Sequence, residues 1–304
     1  MIKTASLSPK HLLLTLVTVL IWGLNFIAIY VGLKGFPPFL LCTLRFGFTA
    51  FPWVFILPRP KAPLMHIIGY GVFTFALQFG FLFCGIYLGL SPGLSSLMIQ
   101  VQVFFSIGLA VLFFQDKPTA WKIYGSLISF IGIGIVGAHV NGGSSFLGLL
   151  LVLLAALSWS LGNMFTKKVD TQSPVSLVAW GNLAAFPFMA AFSFLMEGPD
   201  LILTSLQNVS WATIGAIFYI VYFSSLIGYS AWGFLLNSYP TATIVPFTLL
   251  IPVVGFFGSI VFLGEELTSW KLLAAFFVMA GLVFNLLEKQ IQEQLRKIKK
   301  IKQL

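Results

Sequence analysis

Apolar residues along this chain come in unbroken blocks of about 20, a length that crosses a hydrocarbon layer as a helix and exceeds what one face of a soluble helix requires. Ten such blocks are present: 11–33, 38–57, 66–88, 93–114, 120–138, 146–167, 174–196, 210–236, 242–263 and 269–288. The breaks between them carry turn chemistry, at Phe36-Pro37-Pro38, Pro58-Arg59-Pro60, Ser91-Pro92-Gly93, Asn141-Gly142-Gly143 and Tyr239-Pro240. The longest connection, around Glu197 to Asn208, is too short for a separate soluble domain. The pattern predicts an all-α integral membrane protein of ten transmembrane helices.

One polar stretch occurs twice. Phe114 to Lys122 reads FQDKPTAWK and Leu263 to Lys271 reads LGEELTSWK. At an offset of 149 residues Asp116 falls on Glu265, Thr119 on Thr268, Trp121 on Trp270, Lys122 on Lys271 and Gly132 on Gly281. An Ala-Phe-Pro also recurs, at Ala50–Pro52 and Ala185–Pro187. Self-similarity at such an offset marks duplication. It divides the chain into a first five-helix repeat (1–140), a second (141–288) and a basic tail (289–304). Five crossings is an odd number, so the second half enters the membrane from the other side. Two inverted five-helix repeats are the plan behind many secondary transporters, with the binding site near the midplane between them.

Composition agrees. Apolar residues make up 59% of the chain and charged residues 8%, against roughly a quarter charged in a soluble domain. The net charge of +9 does not form a nucleic-acid footprint, because its largest cluster is the tail of Arg296, Lys297, Lys299, Lys300 and Lys302. That tail is suited to anionic lipid headgroups or to a solvated extension. With residue 1 in the cytoplasm, 14 of the Lys and Arg residues fall on the inner side, Lys34 and Lys271 on the outer, and Arg45 within a span. Both termini are therefore expected to be cytoplasmic. Cys42 and Cys84 lie inside apolar blocks and are expected to behave as small apolar residues, with no disulfide, metal or cofactor. The first block is too long for a signal-peptide core and is read as a span.

Polar side chains at mid-depth need partners in hydrocarbon and so carry the functional information. They are Asn25, Arg45, Gln78, Gln100, Gln102, Asn163, Asn182 and Tyr222, accompanied by Trp22, Trp159, Trp180, Tyr229 and Trp232. Trp22 and Asn25 share a helix face, as do Trp159 and Asn163 in the repeat-related sixth span. An amide-plus-indole face from each half would suit a small polar solute, since an amide both donates and accepts. Each amide could equally serve as interhelical glue. Gln100 and Gln102 stand about 200° apart on a regular helix, so at most one faces a cavity squarely. Arg45 would either be satisfied by backbone carbonyls and helix ends or meet a substrate carboxylate. The structural role is slightly favoured, because an open permanent charge would release an anion slowly. All eight acids, and His11, His66 and His139, fall in loops, at helix ends or in the tail. That leaves no intramembrane proton relay and predicts uniport or exchange. No hydrolytic or metal constellation lies at depth, and no ring of charge suggests a channel.

The residues also resemble a known family. WGLNF at Trp22–Phe26, LRF at Leu44–Phe46 and the acid-turn-helix segments at Asp116 and Glu265 are similar to the EamA branch of the drug/metabolite transporter superfamily. QFGFLFC at Gln78–Cys84, the stretch from Pro92 to Ser106, and GNMFTKK at Gly162–Lys168 resemble its amino-acid-exporting subgroup. The resemblance implies a multi-pass protein of the bacterial inner membrane with a central cavity. It further implies efflux of amino acids or related metabolites such as cysteine and O-acetylserine, with Asn25, Gln78, Gln100, Gln102 and Asn163 along the pathway. Export of a bulkier aromatic or cationic solute, and a non-transporting membrane scaffold, are the alternatives.

Overall fold

The computed structural model describes residues 7–115, 117–140, 143–166, 173–286 and 288. Among them are ten helices long and apolar enough to cross a membrane: α1 (Pro9–Leu33), α2 (Pro38–Ile56), α3 (Leu64–Tyr87), α4 (Pro92–Phe113), α5 (Ala120–His139), α6 (Ser145–Phe165), α7 (Pro174–Glu197), α8 (Trp211–Ser238), α9 (Val245–Leu263) and α10 (Ser269–Leu286). Each lies within three residues of the block expected from the apolar pattern. Asp116, Asn141, Gly142, Lys167, Lys168, Asp170 and the basic tail, which entered the sequence argument, lie outside the described residues.

The helix starts follow from local chemistry. Ser8, Ser91 and Ser173 each precede a proline, and each serine Oγ accepts from a backbone N–H of the first turn, while the proline occupies a position that needs no N–H. Thr119 and Ser210 cap α5 and α8 in the same way. Ten crossings place Pro9 and Leu286 on one face of the bundle, called here the N face, and Leu33 and Pro38 on the opposite face.

The duplication is visible as a two-fold contact. Gly125 of α5 approaches the Gly281 carbonyl of α10 so closely that a Cβ there would lie 2.8 Å from it, and a Cβ on Gly132 would lie 2.8 Å from the Ala274 carbonyl. With the 149-residue offset these two contacts exchange. Between them Ser129 Oγ donates to the carbonyl of Val278, its repeat mate, at 3.1 Å. Ascending numbers on α5 meet descending numbers on α10, so the repeat-related helices run antiparallel. Small residues let the two backbones close, as is common where no aqueous hydrophobic effect drives helices together. The other contacts obey the same exchange: α1 packs on α8 and α9, α6 on α3 and α4, α2 on α7 and α4 on α9. The outer surface carries exposed Leu13, Phe55, Leu112, Leu195 and Val261, an apolar skin suited to acyl chains.

Candidate functional site

Four helices lose their regular turn, α3, α4 and α8 at mid-depth and α9 in its first five residues. In α3 the segment Val72–Leu77 widens to π-helix, and in its repeat mate α8 the segment Tyr219–Gly228 does the same. In α4 the segment Ile99–Val101 tightens to 3-10 helix, as does Val245–Leu249 in its mate α9. Irregular turns leave backbone groups without their i→i−4 partners, and at membrane depth these are tolerated only where protein or a cavity receives them. Protein side chains receive two of them. The Trp22 indole Nε1 donates to the Ser224 carbonyl at 3.1 Å, and Gln100 Nε2 donates to the Thr248 carbonyl at 3.2 Å.

Between these breaks is a cavity of about 80 Å³ lined by Trp22, Asn25, Phe26, Arg45, Gln78, Phe79, Leu82, Ile99, Gln100, Trp159, Ser224, Tyr229 and Ile251. Asn25, Arg45, Gln78 and Gln100 stand seven to nine residues from their helix ends at the opposite face, about 10–14 Å by helix rise. In a hydrocarbon core roughly 30 Å thick that is near the midplane. Both halves contribute. Trp22 also packs on Tyr229, ring centroids 5.3 Å apart, and on Trp232 at 5.2 Å.

The polar atoms in this cavity are incompletely satisfied. Asn25 Oδ1, Gln78 Oε1, Arg45 Nε and Arg45 Nη1 are buried without a hydrogen-bond partner. The Arg45 side chain is 1% exposed, and its guanidinium carbon sits 3.7 Å from the centre of the Phe79 ring. No described acid pairs with it.

The remaining residues singled out in the sequence lie elsewhere. Gln102 faces a separate cleft between α4 and α10. Its Oε1 accepts from Asn163 Nδ2 at 3.5 Å, and its carbonyl accepts from Ser160 Oγ at 2.7 Å. Asn163 does share the helix face of Trp159 but sits one turn nearer the N face, too far along for the cavity. Trp180 donates from Nε1 to the Leu57 carbonyl at 3.4 Å, joining α7 to the N-face end of α2. Asn182 donates to Val178 within its own helix, and Tyr222 is exposed on a lateral groove.

Sequence reasoning gave no role to two acids that close the opposite face. Glu197, at the end of α7, accepts from the backbone N–H groups of Phe39 at 2.6 Å and Leu40 at 2.9 Å, and from Ser193 Oγ at 2.7 Å, so it caps α2. Glu265, after α9, accepts from Ser91 Oγ at 2.6 Å, Gly93 N at 3.3 Å, Ser259 Oγ at 2.7 Å and Lys271 Nζ at 2.9 Å, so it caps α4. Negative charge is stabilised at helix N-termini. Burial pushes the Glu265 carboxyl up, but its hydrogen bonds and the Lys271 charge outweigh that, and its pKa lies below the ordinary value. The signal in the sequence was the Ser-Pro start of α4 together with the acid of the repeated turn. On the N face, His11 Nδ1 and the Tyr239 hydroxyl lie 2.7 Å apart and tie α1 to the end of α8.

A ten-span bundle with a mid-depth cavity lined by both antiparallel halves has the architecture of a membrane transporter. A family model described as the EamA-like transporter family matches residues 9–138 and 146–287, one stretch in each half, and the chain belongs to that family. A "probable amino-acid metabolite efflux pump" of Salmonella typhimurium is 40% identical over 297 residues, covering 95% of this chain and 99% of the relative. A protein of the same name from Escherichia coli is 38% identical, covering 92% and 95%. A more distant E. coli relative, the uncharacterized inner membrane transporter YedA, is 23% identical over 283 residues. A solved crystal structure superposes with a TM-score of 0.61 over 92% of this chain and 96% of the other, at 17% identity, a likeness of fold. The protein is a multi-pass inner-membrane transporter acting on a small-molecule substrate.

Proposed function

We propose that this transporter exports small amino-acid metabolites, cysteine and O-acetylserine foremost, by alternating access at the central cavity. The observation that carries the reading is a near-midplane cavity, built by both halves, whose buried amide and guanidinium atoms lack partners. The names of the two most similar relatives cited above support the substrate class. The modest volume favours a small solute over a bulky aromatic or drug-like one. The excess of Lys and Arg makes the N face cytoplasmic, so the carboxylate-capped face is outer, and an outer side held by Glu197 and Glu265 is one end of the alternating cycle. Transport runs as uniport or exchange.

The test is efflux from proteoliposomes preloaded with labelled cysteine or O-acetylserine, comparing wild type with Asn25→Leu and Gln78→Leu. Efflux by wild type and its loss in folded variants is the expected result. Absence of efflux from folded wild type overturns the substrate assignment.

A further inference from the structure

We propose that Arg45 is the carboxylate anchor of the cavity, and that Asn25 and Gln78 receive the α-ammonium group of the same zwitterionic solute. The inference rests on reading the cavity as an amino-acid pathway and deepens that reading to a subsite.

Arg45 is 1% exposed, and its Nε and Nη1 find no acceptor in the protein. A guanidinium keeps its charge even when buried, and a buried charge without a partner is expensive. Satisfaction by backbone carbonyls or helix ends, the alternative to a ligand, is not what Nε and Nη1 display. Phe79 covers one face of the guanidinium, and a ring face supplies attraction but no acceptor for an in-plane N–H. Nη2 shares one edge with Nε and another with Nη1, and either edge matches the two oxygens of a carboxylate in bidentate geometry.

Asn25 and Gln78 show the complementary deficit. Their side chains are 6% and 3% exposed, and Oδ1 and Oε1 lack donors. Both are acceptors, and both are neutral. A ligand that offers two adjacent acceptors to one guanidinium edge and a group rich in N–H donors to the two amide oxygens is the headgroup of a free α-amino acid. Because the cavity's one formal charge is cancelled by the carboxylate while neutral amides meet the ammonium, a zwitterion enters and leaves without a net charge being moved into hydrocarbon. This answers the difficulty that a lone cation would hold an anion too tightly.

The experiment measures exchange of labelled cysteine in proteoliposomes, competed by unlabelled cysteine, cysteinamide (carboxyl neutralised), cysteamine (carboxyl absent) and 3-mercaptopropionate (ammonium absent). Wild type is expected to bind cysteine at least about tenfold more tightly than cysteinamide or cysteamine, as loss of a charge-assisted bidentate contact requires. Arg45→Gln is expected to reduce that ratio to within about threefold. Asn25→Leu and Gln78→Leu are expected to erase instead the preference for cysteine over 3-mercaptopropionate. Equal competition by cysteine and cysteinamide in wild type overturns the anchor while leaving cysteine export standing, and needs no variant to fold. A carboxylate preference that persists in folded Arg45→Gln also overturns it. Failure of wild type to exchange cysteine at all overturns this inference together with the export reading.

Discussion

The Trp22 indole reaches across the interface between the halves to the Ser224 carbonyl, 3.1 Å away, inside the widened turn of α8. It rests directly on a glycine: a Cβ at Gly228 would lie 2.5 Å from the indole Nε1. The indole therefore both satisfies a backbone group at membrane depth and forms one wall of the cavity. Gly228→Val is expected to push the ring aside and lower efflux by at least about tenfold at preserved expression. Trp22→Phe keeps one aromatic ring and loses the pyrrole N–H with its hydrogen bond, worth about 1 kcal/mol, so its effect on efflux should be several-fold smaller. Measuring both in proteoliposomes, with thermal melts in detergent as the control for folding, checks the order.

Gln100 and Gln102 separate by role. Gln100 lines the cavity and ties α4 to Thr248 of α9, whereas Gln102 pairs with Asn163 outside it. Gln100→Leu is expected to cut efflux at least about tenfold. Gln102→Leu removes an outlying contact of about 1 kcal/mol and should leave efflux within about threefold of wild type. Initial efflux rates of the two purified variants decide it, and reversed ranking would mean that the pathway runs along the α4–α10 cleft.

The spans and the duplication were legible because both are written in long-range regularities: block length against bilayer thickness, and the 149-residue offset that sets Gly132 on Gly281. Which amide faces the cavity was less legible. A regular helix projection places Trp159 and Asn163 on one face, and they do share it, but depth separates them and only Trp159 reaches the cavity. Trp180 carries the same side chain as Trp22, yet its indole joins α7 to α2 at the N face. The 3-10 turn of α9 contains Pro246, which has no N–H for an i→i−4 bond, whereas the π turns and the 3-10 turn of α4 contain no proline. They are set by how the halves pack. The role of Glu265 was half legible: the repeat marked the acid, while its partners Ser91 and Gly93 are more than 170 residues away in the chain.

Proton coupling offers a third prediction. Among the described residues no acid or histidine lines the cavity, and the polar side chains there are amides, a guanidinium, the indoles of Trp22 and Trp159, the hydroxyl of Ser224 and the phenol of Tyr229. None of these changes protonation readily near neutral pH. Efflux of a solute whose own ionisation is constant is therefore expected to be the same, within about twofold, with and without an imposed pH gradient. A gradient that drives accumulation in sealed proteoliposomes would contradict this.

The α5–α10 contact should govern stability and leave substrate affinity alone. A Cβ at Gly281 would lie 2.2 Å from the Gly125 carbonyl oxygen, a backbone atom that cannot rotate away. Neither helix lines the cavity. Gly281→Leu is thus expected to lower the melting temperature and the folded yield through overpacking of about 1–3 kcal/mol, with the KM for efflux of the surviving protein unchanged. A changed KM at unchanged melting temperature would reverse the assignment.

Glu265 supplies the pH dependence of stability. Its folded pKa lies below the ordinary carboxylate value, because burial, which raises it, is outweighed by hydrogen bonds from Ser91 and Ser259 and by Lys271. A depressed carboxylate stabilises the fold fully above its unfolded pKa of about 4.3 and loses that contribution as pH falls through the lower folded value. The wild-type melting temperature should therefore be insensitive to this group near neutral pH and decline in acid below about pH 4. Glu265→Gln keeps the shape but removes the charge that faces Lys271 and the first turn of α4, so it should cost about 1–3 kcal/mol at pH 7. It should also flatten the acid decline, because the titrating group is gone. Lys271→Met removes the charge that helps hold the pKa down, so the folded value moves up toward the unfolded one and the acid decline should be shallower than in wild type. Melting curves of the three proteins from pH 3 to pH 8 test all of this, and an unchanged acid limb in Glu265→Gln would show that another carboxylate carries it.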